Sequence, residues 1–198
     1  MPRGVPIVEP RQHLFAAAER VIAASGPGAL TSRAVTREAG VATGLLFAHF
    51  ANFDDFLVGY AVDRSFQIAS AATGLTGRAG TGTVAGNLSE TVLATPLLTV
   101  LAVTRLIACR PTLAARTEAV LGAGTAALRP LHRAVVEYLA AERRLGRIPA
   151  GADAEALTLA VVGVLHHVAL TDGTDPAAES RIRRAVTALI DGSRAVTS

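Results

Sequence analysis

The chemistry this sequence is best equipped for lies between Thr31 and Phe50. The stretch reads Thr-Ser-Arg-Ala-Val-Thr-Arg-Glu-Ala-Gly-Val-Ala-Thr-Gly-Leu-Leu-Phe-Ala-His-Phe. Thr31 and Thr43 each bring a hydroxyl to the predicted start of a short helix, where it accepts a hydrogen bond from an otherwise unpaired amide. Gly40, between them, is the residue type that ends a helix by turning left-handed. Two short helices joined by such a turn form a helix-turn-helix, whose second helix enters the DNA major groove. Helix N-termini and well-placed arginines are phosphate-binding groups. The stretch is therefore read as a nucleic-acid interface.

Other reactive residues form no comparable pattern. His166 and His167 are adjacent, and helical neighbours point about 100° apart, so they do not share a metal as i, i+4 pairs do. One histidine is expected in the core or a pocket and the other at an interface; no metal and no cofactor is expected. Gly80-Thr81-Gly82-Thr83-Val84-Ala85-Gly86 loosely follows a phosphate loop, but no strand precedes it and no lysine follows, so it is read as a linker. Cys109 is the only cysteine, which excludes an intrachain disulfide framework and fits a reducing cytoplasm. A helical-bundle enzyme using His132, Glu137 or His166 is a possible reading, but no nucleophile elbow, HExxH, paired CxxC or dinucleotide fingerprint supports it. The chain is read as a non-enzyme.

The elements that must position the 31–50 stretch are all helical. Pro10 opens a helix to about Ser25, with Leu14, Phe15, Ala18, Val21 and Ile22 on one face. Gly26-Pro27-Gly28 ends it. Leu30, Val35, Val41, Leu46 and Phe50 are expected to complete a small core with that face. Asn52-Phe53-Asp54-Asp55 is a helix start, a capping Asn followed by carboxylates that suit the helix dipole. That helix runs to about Ala72. Residues 1–9 read as a partly disordered arm, and Gly74 to Gly82 as a flexible joint.

Later helices are expected near 83–94, 97–109 and 123–145, then from Asp153 through Leu170, and after Asp175-Pro176. No sustained strand alternation interrupts them, so the fold class is all-α. The uncharged stretches Thr91 to Thr104 and Ala156 to Thr171 fall short of the roughly 18 apolar residues of a membrane span. Together with the absence of a signal-type run after Met1, this predicts a soluble, cytoplasmic protein with no membrane partner. Residues 1–60 hold five arginines (Arg3, Arg11, Arg20, Arg33, Arg37) against five acids (Glu9, Glu19, Glu38, Asp54, Asp55). The net charge of +3 is thus not concentrated there, and a few well-placed arginines must do the gripping.

The turn Ala39-Gly40-Val41, then Thr43-Gly44, Phe47 and His49-Phe50, resembles the DNA-binding domain of the TetR family of bacterial transcriptional regulators, over about residues 10–57. The resemblance implies a three-helix helix-turn-helix domain (residues 1–52) followed by a helical effector-binding and dimerisation domain (53–198). It places Thr31, Arg33, Thr43, Gly44, Leu45, Phe47 and His49 against DNA. Two positions depart from the family pattern: Phe47 replaces a tyrosine, and Phe53 replaces a lysine. Both losses remove a phosphate contact and lower the expected salt dependence.

The same resemblance implies a homodimer that reads a palindromic operator in double-stranded DNA, acts as a repressor, and is released by a small, largely apolar effector. Leu97, Leu101, Thr104, Arg105, Thr125, Leu128 and His166 are candidate effector contacts. Leu159, Val162, Gly163, His167, Val186 and Leu189 are candidate dimer contacts. The alternative is a protein of the same fold that binds or sequesters a ligand and has weakened or lost DNA binding.

Overall fold

A computed structural model describes residues 9–172 and 175–195. The expected arm, apart from Glu9, lies outside them. Ten α-helices and no strands are present among the described residues: α1 Pro10–Ser25, α2 Ser32–Glu38, α3 Thr43–His49, α4 Phe53–Ala72, α5 Val84–Val92, α6 Leu97–Cys109, α7 Thr112–Leu121, α8 Arg129–Arg144, α9 Ala154–Asp172 and α10 Ala178–Ala195.

The first four helices follow the sequence signals closely. Thr31 Oγ1 accepts the Ala34 amide at 3.1 Å and caps α2. Gly40 adopts φ 68°. The Val41 amide then reaches back to Thr36 O and the Gly40 amide to Arg37 O, a Schellman turn that satisfies the open carbonyls at the end of α2. Asn52 Oδ1 accepts the Asp55 amide at 2.8 Å and starts α4. Thr43 is a correction. It is the first helical residue of α3, with Ala42 at the cap position and no side-chain cap. The backbone is already extended at Ala42, so α3 begins at Thr43. The Thr43 hydroxyl lies instead 3.3 Å from that of Thr36 and ties α3 to α2.

Leu14, Phe15, Ala18, Ile22, Leu30, Val35, Leu46 and Phe50 are buried together as expected, with Val41 half-buried at the edge. Phe56 and Tyr60 of α4 complete this core; Phe15 lies 5.8 Å from Phe50, 5.6 Å from Phe56 and 5.7 Å from Tyr60, ring centre to ring centre. Gly59 is required by the same packing, since a Cβ there would stand 3.0 Å from Phe50 Cε1.

Beneath the rings lies a buried ion pair that sequence reasoning missed. Arg64 Nε donates to Glu19 Oε1 at 2.8 Å, with both residues nearly fully buried. Arg64 also donates to Gln12 Oε1 at 2.8 Å and to Asp63 at 2.7 Å. Burial alone would lower the Arg64 pKa, but the Glu19 carboxylate outweighs it and holds the group above its ordinary value. Tyr60 is pushed well above the ordinary phenol range by burial, with Glu19 adding to it.

Helix α4 packs on α7, α8, α6 and α5, while α1 packs on α6. The 74–82 segment was expected to be a flexible joint; it is a strap fastened to α8. Leu75 is buried, and Thr76–Arg78 form a 3-10 turn. The Gly80 amide donates to the buried Glu142 carboxylate at 3.3 Å. Asn87 Nδ2 donates to Thr81 O at 2.9 Å and to Tyr138 Oη at 3.0 Å. Arg147 donates to the carbonyls of Thr81 and Gly82. Tyr138 is pushed up to about 12 by burial and by Glu142.

Helix α8 starts at Arg129 and not at 123, because Gly122, Gly124 and Ala127 all take positive φ and hold residues 122–128 in a loop. Asp153 Oδ1 caps α9 as expected, accepting the amides of Glu155 and Ala156 at 2.9 and 3.2 Å. At 19 residues with a mean hydropathy of 1.5, α9 is long and apolar enough to cross a bilayer, which corrects the shorter span read from the sequence. Here it packs as a core helix on α6, α8 and α10.

Breaking one side of a buried pair strands a charge, whereas removing both does not. Arg64→Met should therefore cost about 3–5 kcal/mol of unfolding free energy in urea, and the double substitution Glu19→Leu with Arg64→Met much less. A loss in the double variant equal to the sum of the losses of Glu19→Leu and Arg64→Met alone would show that the two charges act independently.

Candidate nucleic-acid interface

The Schellman turn and the Thr36–Thr43 contact hold α2 and α3 as one unit, and α1 clamps that unit from behind. His13 Nε2 lies 2.7 Å from Ala39 O, at the turn itself. Arg20 Nε donates to Glu38 Oε1 at 2.6 Å, fixing the end of α2 to α1. Val35 and Leu46 point into the core, which forces the opposite faces outward.

Those outward faces carry most of the expected contact residues. Thr31, Arg33, Gly44, Phe47 and His49 are exposed, and Thr43 and Leu45 are half-buried beside them. Phe47 is 47% exposed, an unusual position for a phenylalanine unless something covers it. Gly44 is not required by the fold, because a Cβ there would meet nothing within 4 Å. Its lack of a side chain leaves the backbone at the start of α3 open.

The balanced charge tally of this region resolves in three dimensions. Glu19 is consumed by Arg64, and Glu38 by Arg20. Asp54 and Asp55 face Arg110 and Arg116, at 3.8 and 3.5 Å. The guanidinium groups of Arg33 and Arg37 make no hydrogen bond or ion pair among the described residues. Arg37 was missed as a contact in the sequence, although it lies four residues after Arg33 and so shares its helix face. The result is a cationic edge on α2 beside an exposed, partly apolar α3.

Residues 14–58 match the sequence profile described as bacterial regulatory proteins, tetR family. The N-terminal helices are thus similar to the helix-turn-helix domain of the TetR family. No curated protein matches the chain. Solved structures do, over nearly its whole length. The fatty acid degradation regulator FadR from Bacillus halodurans superposes with a TM-score of 0.70 at 17% identity, covering 96% of this chain and 99% of that one. FadR from Bacillus subtilis, in complex with stearoyl-CoA, gives 0.66 at 17%, covering 91% and 98%. A bacterial regulatory protein of the tetR family from Rhodococcus RHA1 gives 0.68 at 18%, covering 94% and 98%. At these identities the likeness is one of fold: a TetR-type helix-turn-helix followed by a helical C-terminal domain.

Within this TetR-like fold the other expected residues divide. Leu97 and Leu101 are buried on α6. Thr104 Oγ1 on α6 and His166 Nε2 on α9 are both buried with no hydrogen-bond partner among the described residues. Arg105 does not stand free for a ligand, since it donates to Leu170 O at 3.1 Å and ties α6 to α9. Thr125 and Leu128 are not brought to these helices' contact by any observed bond. They lie in the 122–128 loop, where Thr125 Oγ1 donates to Gly122 O and the Ala127 amide donates to Ser65 on α4.

Of the expected dimer residues, Leu159, Gly163 and His167 form an exposed stripe on α9, with Leu159 68% exposed. Leu189 is half-buried. Val162 and Val186 point into the chain's own core, because Ile182, Val186 and Ile190 form the inward seam of α10 at i, i+4, i+8.

Gly44→Ala separates fold from function at this face. Replacing a helical glycine in open space should stabilise the protein by up to about 1 kcal/mol, while the added methyl weakens DNA binding at least several-fold. Thermal melting and fluorescence anisotropy on a labelled duplex measure the two effects. A stabilised variant that binds DNA unchanged would remove Gly44 from the interface.

Proposed function

We propose that this protein is a one-component transcriptional repressor of the TetR type. Residues 1–52 serve as its DNA reader and residues 53–198 as its effector and dimerisation domain. The observation that carries this reading is the exposed α2–α3 face, where Arg33 and Arg37 are free and Phe47 and Gly44 stand open. On DNA, α3 lies in the major groove, Gly44, Leu45 and Phe47 meet base edges, and Thr31, Arg33, Thr43 and His49 meet the backbone. Arg37 joins the phosphate contacts.

The exposed stripe of Leu159, Gly163 and His167, beside Leu189, supports a two-fold pairing of α9 and α10 with a second copy. Small Gly163 allows close helix approach. Such a dimer presents two α3 helices to half-sites about one DNA turn, roughly 34 Å, apart. A palindromic operator follows from that symmetry. The protein acts in the cytoplasm, without enzymatic activity.

The unpartnered Thr104 hydroxyl and His166 Nε2 support an effector that enters between α6 and α9. Buried polar atoms without partners are costly, and a ligand that hydrogen-bonds them removes that cost. Leu97 and Leu101, which share a face of α6 with Thr104 at i, i+4 and i+7, favour a largely apolar molecule. A stearoyl-CoA complex of one structural neighbour is in keeping with such chemistry. Because α1 packs on α6, an effector that displaces α6 also moves the reading head. Release requires that the effector bind the displaced dimer more tightly than the operator-bound one.

Selection from a random DNA pool by the purified protein tests the reading. Enrichment of a palindrome, abolished by Thr43→Ala with His49→Ala, is the expected result. If nothing enriches while the protein is folded and dimeric, the reading falls. The engaged Thr43 hydroxyl and the phenyl ring at position 47 would then mark a ligand-sequestering protein that has lost DNA binding.

A further inference from the structure

Helix α4 turns an apolar stripe outward between α1 and α7. Val58, Val62 and Phe66 recur on it at i, i+4, i+8, and with Val120 and Leu121 at the end of α7 they line a groove of about 500 Å³. Phe66 is 61% exposed and Val120 64%. None of the groove's lining residues belongs to the α2–α3 face, to the α6–α9 contact or to the α9–α10 stripe. A contiguous apolar patch with polar groups at its rim marks a surface that something covers.

The chain supplies the occupant. Arg11 and Gln12, in the first turn of α1, line the groove, so the segment before Pro10 departs from its edge. That segment, residues 1–8, reads Met-Pro-Arg-Gly-Val-Pro-Ile-Val. It holds three aliphatic residues, one arginine and no acid, and Pro2 and Pro6 disfavour a helix there. Glu9 takes φ 55° and ψ 65°, a left-handed conformation uncommon for any residue but glycine. The chain therefore bends sharply where it meets α1 and does not continue the helix axis. Reach is sufficient: eight extended residues span about 26 Å, against about 16 Å along α4 from Asp55 to Phe66.

Charge agrees with this occupant. At the rim, Asp63 is engaged by Gln12, Arg64 and Gln67. Asp55 Oδ1 meets only Arg116 among the described residues, at 3.5 Å, and an ionised carboxylate oxygen accepts more than one donor. Tethering also favours the chain's own segment over a free partner, since a short linker gives an effective concentration on the order of millimolar.

We propose that residues 1–8 seat as an extended strand in the α1–α4–α7 groove. Arg3, Val5 and Ile7 then point to one side, with Val5 and Ile7 against Val62, Phe66 and Val120, and Arg3 toward Asp55. The seated segment covers Phe66 and Val120 and bridges α1 to α7 across α4. It is an intrachain clasp between the first helix and the C-terminal helices, independent of DNA and of any effector.

The test is paramagnetic broadening in the full-length, ¹⁵N-labelled protein carrying Cys109→Ser and a nitroxide on Gly4→Cys. Strong broadening of the Val62 and Leu121 amides is expected. Val5→Ser with Ile7→Ser should reduce it at least several-fold, and so should Phe66→Asp with Val120→Asp, with the rest of the spectrum unchanged. Three results overturn the proposal. The first is no broadening at Leu121. The second is broadening unaltered by the two serine substitutions, as for a segment held near the groove by its tether alone. The third is equal broadening of ¹⁵N-labelled protein without nitroxide when mixed with unlabelled, spin-labelled protein, which would assign the groove to a second copy. Should the aspartate variant fail to fold, the serine variant, altered only before α1, still decides.

Discussion

Glu19 on α1 and Arg64 on α4 are held out of water 2.8 Å apart, with the guanidinium carbon 5.6 Å from the ring centres of both Phe15 and Tyr60. Moving each charge from water costs several kcal/mol, and only close pairing with further hydrogen bonds offsets that cost. Gln12 and Asp63 supply those bonds. The consequence is geometric. Helix α1 can sit on α4 in one register only, because any slip leaves a charge buried and alone. Everything α1 touches inherits that register: the Ala39 carbonyl at the turn, Glu38 at the end of α2, and α6 on the other side.

This arrangement makes α1 and α4 the structural link between the helix-turn-helix and the C-terminal helices. The four aromatic rings of the first core pack from α1, from the end of α3 and from α4, so the small domain is not closed without α4. Helix α4 in turn rests on α7 and α8, and its N-terminal carboxylates face Arg110 and Arg116. Those two ion pairs are exposed and contribute little to stability. Their effect is on charge distribution, since they turn acidic groups away from the α2–α3 face and leave Arg33 and Arg37 unopposed.

Local signals in the sequence were strong wherever the backbone itself carried them. Thr31, Gly40, Asn52 and Asp153 each mark a helix end by short-range hydrogen bonding, and each does so in the structure. Contacts between distant segments were not legible. Glu19 and Arg64 are 45 residues apart, and nothing in either one's neighbours distinguishes a buried charge from a surface one. The 74–82 strap misled for a similar reason: its glycines suggest freedom, while the anchors Glu142 and Arg147 lie far along the chain. Most of the outward-facing side chains of residues 31–49 could be anticipated because they lie on two short, well-delimited helices. Val186 could not, since α10 has one inward seam and the sequence does not say whether its partner is this chain or a second copy.

Hydrogen–deuterium exchange on the protein with and without a cognate duplex tests the central claim most directly, that residues 31–49 are a DNA reader held rigid by α1. Protection is predicted at residues 31–33 and 42–49, on the cognate duplex and not on a scrambled one. Protection confined to other segments, or equal protection by both duplexes, would contradict the account.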